Sequence, residues 1–117
     1  MLTFASFDGS AQSKNSYMRI AKLVIDSAQL EPYKVALKEH IETAVGVEPG
    51  VLSLNAVYEK NNPTHITVFE VYADEQSYNA HLQTPHFKKY KATTQNMVKS
   101  LELIDVVLID SKAKPSQ

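Results

Sequence analysis

The chain has 117 residues, 12 Lys and Arg against 13 Asp and Glu, no cysteine, and a formal charge of −1. That length suits one domain that buries roughly two-thirds of its unfolded surface, and 44% hydrophobic residues suits a packed core. The balanced charge excludes the basic surface of a nucleic-acid binder. The missing cysteine excludes disulfides, thiolate zinc and a Cys nucleophile, and no apolar run reaches the ~20 residues of a membrane helix.

Residues 1–16 have neither a helical nor a strand period. An apolar start, Leu2 to Phe7, leads into the small polar run Gly9-Ser-Ala-Gln12. Two readings stand: an N-terminal arm, with a cytoplasmic protein, or the remnant of an export signal, with a periplasmic one. A basic n-region is missing and the apolar run is short for a signal. Residues 111–117 read as a polar tail, which leaves 17–110 as the domain.

Residues 17–26 interleave Ile, Val and Leu with polar residues, as a strand does. Tyr33, Leu37, Ile41 and Val45 then make a helical stripe, with Pro32 in the first turn and Gly46 at the stop. After Glu48-Pro49-Gly50, residues 51–59 alternate as a second strand, with Leu52, Leu54, Ala56 and Tyr58 on one face and Ser53, Asn55 and Val57 on the other. Residues 60–64 read as a loop, and 65–72, rich in β-branched and aromatic residues, as a third strand. Asp74 caps a helix over 75–82. Thr84-Pro85 breaks it and starts a second piece to about Lys99. Residues 101–110 form a final apolar strand. The order β-α-β-β-α-β is the ferredoxin-like α+β pattern, a four-stranded antiparallel sheet with helices on one face. Both faces of the first strand hold apolar residues, Ala21, Leu23 and Ile25 on one and Ile20 and Val24 on the other, so a face-to-face homodimer is expected to cover the face the helices leave open.

The third strand sets Val68, Glu70 and Tyr72 on one face. A carboxylate there is costly unless partnered or beside a wet cavity, and burial raises its pKa toward acid–base use. It equally fits a structural carboxylate at the sheet edge, paired with Lys22 or Arg19. Tyr78 and His81 share a helical face next to the Thr84-Pro85 break, where a pocket can open. A histidine so placed serves as a base or as a satisfied structural group. His86 reads as solvated, His40 and His65 as surface residues. No two histidines have metal-ligand spacing on one element, so no metal site is expected.

Residues 69–87, FEVYADEQSYNAHLQTPHF, resemble the antibiotic biosynthesis monooxygenase (ABM) family, in its quinol monooxygenase and autoinducer-processing branches. The Glu48-Pro49-Gly50 turn fits the same pattern. The resemblance implies a dimeric α+β barrel with a pocket between sheet and helices. It also implies cofactor-independent oxidation of a small quinol or phenol by O₂, because a phenolate can itself reduce O₂. The alternatives are an isomerase of a small hydroxyketone and a non-catalytic small-molecule-binding dimer. Carried over, His81 and Glu70 are the catalytic candidates, His81 as base and Glu70 as its orienter or a second base, with Tyr72 and Tyr78 as walls. Val68 stands where polyketide-oxidising members have Asn, and Asn55 is the residue that offers an amide instead. Leu23 and Lys91 replace the Asn and His of haem-degrading members, which argues against haem.

Overall fold

The computed structural model describes residues 16–116; the expected N-terminal arm lies almost wholly outside them. The elements are β1 (Tyr17–Ile25), a 3-10 turn (Ser27–Gln29), α1 (Leu30–Val47), β2 (Val51–Glu59), β3 (Asn62–Tyr72), α2 (Glu75–His81), α3 (Pro85–Thr94) and β4 (Val98–Val106). The antiparallel sheet runs β2-β3-β1-β4. This is the expected ferredoxin-like α+β fold.

Every second strand residue faces the helices. Ala21, Leu23 and Ile25 of β1 join Ile66 and Val68 of β3 in a core closed by Tyr33 and Leu37 of α1. A second cluster, Ala44, Val51 and Tyr72, packs with Tyr17, Leu54 and Tyr78. The buried stripe of α1 is Tyr33, Leu37, His40 and Ala44, whereas Val45 is 42% exposed. A repeat of four drifts around a helix of 3.6 residues per turn. The face that follows the true period includes a histidine that an apolar count passes over.

Four boundaries differ from the sequence reading, among them the start of the last strand, at Val98 rather than 101. The β2–β3 hairpin is tight, with Glu59 opposite Asn62, so β3 starts three residues early. Pro63 is tolerated because β1 pairing reaches only His65, so that end of β3 has an open edge. The last helix ends at Thr94, and Met97 N–H bonds Thr94 O at 2.8 Å before β4 begins. β4 stops at Val106 opposite Met18, close to where β1 begins. Residues 108–110 therefore lie past the end of β1, and Val107 and Ile109 are exposed.

Side-chain caps set the α2–α3 junction. Asp74 Oδ1 accepts from Ser77 N at 2.7 Å and Thr84 Oγ1 from Phe87 N at 3.2 Å, with Pro85 opening α3. Gly50 lets the start of β2 lie against α2, because a Cβ there would collide with the Ser77 side chain. Among the described residues no helix is long and apolar enough to cross a membrane.

Candidate active site

A cavity of about 110 Å³ lies between the sheet and the helices. Val68, Glu70 and Tyr72 line it from β3, Tyr78 and His81 from α2, His40 from α1 and Arg19 from β1. Five of the six sequence-derived candidates therefore meet at one place. Asn55 does not join them: it is exposed and sits opposite Phe69, on the alternate face of the sheet from Val68 and Glu70.

His81 ends α2 and is 2% exposed. Its Nδ1 lies 2.8 Å from Glu48 Oε2, and His86 Nε2 lies 2.5 Å from the same oxygen. An ionised carboxylate only accepts, so both ring nitrogens carry the shared protons. Burial alone would raise the Glu48 carboxyl, but hydrogen bonds from His86 and His81 hold it below the usual carboxylate range. With Nδ1 protonated, a neutral His81 ring keeps a lone pair on Nε2. That is the tautomer of a general base held by an acid partner.

The orienting carboxylate is thus Glu48, not Glu70. Glu48 caps α1, where its N–H bonds Ala44 O at 3.0 Å, and the return of the chain through Gly50 brings α2 beside it. Glu70 instead accepts from the Tyr72 hydroxyl at 2.8 Å, two residues along the same strand face. Its carboxyl is raised by burial, against the Tyr72 hydrogen bond and the Arg19 charge. Neither structural pairing expected for Glu70 forms. β3 is an interior strand, Lys22 is exposed, and Arg19 donates to the Tyr78 hydroxyl and to Asp105 Oδ1, the latter at 3.1 Å.

The aromatic wall is continuous. Tyr72 and Tyr78 pack edge to face at 5.1 Å, and Tyr72 lies 5.6 Å from the His81 ring. Burial raises the phenols of Tyr72, Tyr78 and Tyr90, so they stay protonated donors at neutral pH. Tyr33 and Tyr90 join hydroxyls at 2.6 Å, and the Tyr90 ring stacks on His40 at 4.7 Å.

Two readings of histidines are corrected here. His40 is 7% exposed rather than a surface residue, and burial, then the neighbouring His81 and His86, lower it to about 4. His86 is partnered, not simply solvated, because the Thr84-Pro85 turn directs it back to Glu48. Among the described residues, Arg19 Nε and His40 Nδ1 are the buried side-chain atoms without a hydrogen-bond partner, and both residues line the cavity. Glu48 was visible in sequence only as part of a turn. Glu48, His81 and His86 also have ligand atoms within 4.8 Å of one another, a grouping that spacing along any one element could not reveal.

A four-stranded α+β layer with a small, aromatic-walled cavity and a carboxylate-held histidine defines a class of small-molecule proteins. The sequence pattern of the antibiotic biosynthesis monooxygenases matches residues 16–93, and the chain belongs to that family. It is similar to a protein of Bacteroides thetaiotaomicron provisionally named an antibiotic biosynthesis monooxygenase. The two are 48% identical with TM-score 0.83, over 88% of this chain and 98% of that one. A Lactobacillus acidophilus protein, provisionally named a monooxygenase, is 33% identical with TM-score 0.79 over 81% of this chain but only 45% of its own. A protein of Nitrosomonas europaea, 18% identical with TM-score 0.77 over 83% of this chain and 93% of that one, shares the fold. Among curated proteins none matches this chain significantly.

Proposed function

We propose that this protein oxidises a small quinol or other phenol with O₂, without a cofactor, and that His81 is the base. The observation that carries the reading is the Glu48–His81 pair beside an aromatic-walled cavity. His81 Nε2 takes the phenolic proton, and the phenolate passes an electron to O₂. One oxygen atom ends on the ring and the other leaves as water, with the quinol supplying all the electrons. Glu70 and Tyr72 offer hydrogen bonds for a second substrate oxygen. Oxygen-electrode assays with hydroquinone and related small phenols are expected to show uptake matched to product. Turnover that continues undiminished in strictly anaerobic buffer would replace oxygenation by proton transfer between His81 and Glu70, an isomerase. Ligand binding with no turnover would leave a binding module.

The unit is proposed to act as a homodimer through the sheet face away from the helices. Ile20, Phe69, Val57 and Ile104 share that face by register, and Val57 is 63% and Ile104 36% exposed. A stable interface of this kind buries more than about 1,000 Å² around an apolar centre. The Lactobacillus acidophilus chain, of which this one covers 45%, has room for two such units, which supports a paired assembly. Sedimentation is expected to give a dimer at micromolar concentration, shifted toward monomer by Val57→Glu. A wild-type monomer there would end the proposal.

A further inference from the structure

We infer that Glu48, His81 and His86 form a binding site for a divalent transition metal of the zinc and cobalt class. One carboxylate oxygen and two imidazole nitrogens lie within 4.8 Å of one another, the one such trio among the described residues. The three side chains are 12%, 3% and 17% exposed. Imidazole with carboxylate is the donor set of such ions, whereas calcium and magnesium prefer oxygen alone.

The backbone already holds the trio in place. Glu48 is fixed by the C-terminal cap of α1. The His81 carbonyl accepts from Thr84 Oγ1 at 2.8 Å, and His86 follows Pro85 in the first turn of α3. Tetrahedral coordination with bonds of ~2.0–2.1 Å sets ligand atoms roughly 3.3 Å apart. The present 2.8 and 2.5 Å contacts of Glu48 need to open by less than about 1 Å, and the two imidazole nitrogens lie within 4.8 Å of one another. A second observation points the same way. His40, with an unpartnered buried Nδ1, has its ring 5.1 Å from that of His81 and 5.8 Å from that of His86. It leaves an unsatisfied buried nitrogen on a ring packed against two of the three ligands.

The proton balance is explicit. Metal entering at His81 Nδ1 and His86 Nε2 displaces the protons shared with Glu48. Each proton moves to the ring's other nitrogen or, from an imidazolium, to solvent. His81 Nε2 then carries hydrogen and is no longer a base. This inference therefore goes beyond the oxidation reading: the loaded site would withhold the base from the cavity.

The test titrates metal-free full-length protein with Zn²⁺ by calorimetry and with Co²⁺ by visible absorption, and needs no turnover. One ion per chain is expected, with tetrahedral cobalt bands and zinc-induced shifts of the His81 and His86 ring NMR signals. His86→Asn and Glu48→Gln, each checked for folding by circular dichroism, are expected to weaken binding by at least roughly 100-fold, the upper end of what loss of an outer partner costs. His65→Asn, at a half-buried strand position next to Glu59 and not among the trio, leaves it unchanged. Absence of saturable binding below millimolar metal would overturn the inference. So would equal affinity in folded variants, or zinc shifts on His65 with none on His81 and His86 in the wild type. The wild-type NMR reading decides the matter even where both variants fail to fold.

Discussion

His81→Ala is expected to lower turnover of a small phenol by ~10²–10⁴-fold, a barrier increase of about 3–5 kcal/mol. The physical reason is that an unassisted phenol, with an ordinary pKa near ~10, stays protonated at neutral pH and is then a poor reductant of O₂. Because the base acts in the chemical step, the loss belongs in kcat more than in KM. Steady-state kinetics of the variant at several pH values checks this. Unchanged turnover would transfer the proton step to Glu70, the carboxylate that lines the cavity. Unchanged turnover in His81→Ala, Glu70→Gln and the double variant would remove proton abstraction from the account.

The second large effect is on stability. Lowering the pH from 7 to 5 is expected to cost the wild type about 2 kcal/mol through His40 alone. Burial, reinforced by His81 and His86, lowers this histidine from 6.5 to about 4 in the folded protein. The unfolded chain therefore binds the extra proton first. Stability falls as pH drops from about 6.5 and levels once the folded ring protonates near 4. Glu48, held below the usual carboxylate value of 4.5, stabilises above that value and loses its contribution only in more acid solution. Glu70 is raised above 4.5 and works in the opposite sense, losing stability as pH rises from there. The other groups around His40, Tyr90 and Phe87, do not change charge in this range. Urea unfolding of wild type and His40→Phe at both pH values isolates the effect. The pH-dependent loss should shrink by about 2 kcal/mol in the variant, and equal losses in both would exclude His40 as the source.

The order of elements was legible because periodicity and caps act within a few residues. Strands β1 to β3 alternate, and Asp74, Thr84 and Pro85 mark helix starts by local chemistry that needs no tertiary partner. The same locality explains why Val68, Glu70 and Tyr72 were correctly put on one face. It also explains where reading failed. The end of β4 depends on how far β1 runs, and the start of β3 on how tightly the hairpin turns, both matters of pairing.

The site divides along the same line. Sequence alone set the α+β fold and the break between α2 and α3, and put Glu70 with Tyr72 on one strand face and Tyr78 with His81 on one helical face, because each rests on spacing within a strand or helix; that the two faces share a pocket was implied by the family resemblance. Tertiary structure alone decided which carboxylate serves His81. Glu48 and His81 are 33 residues apart, and their contact depends on the return of β2 past Gly50 against α2. It likewise drew His86 to the same oxygen and buried His40. Hydrogen bonds between polar groups on different elements leave no period in the chain, so only the packed fold could choose among the acids and histidines available.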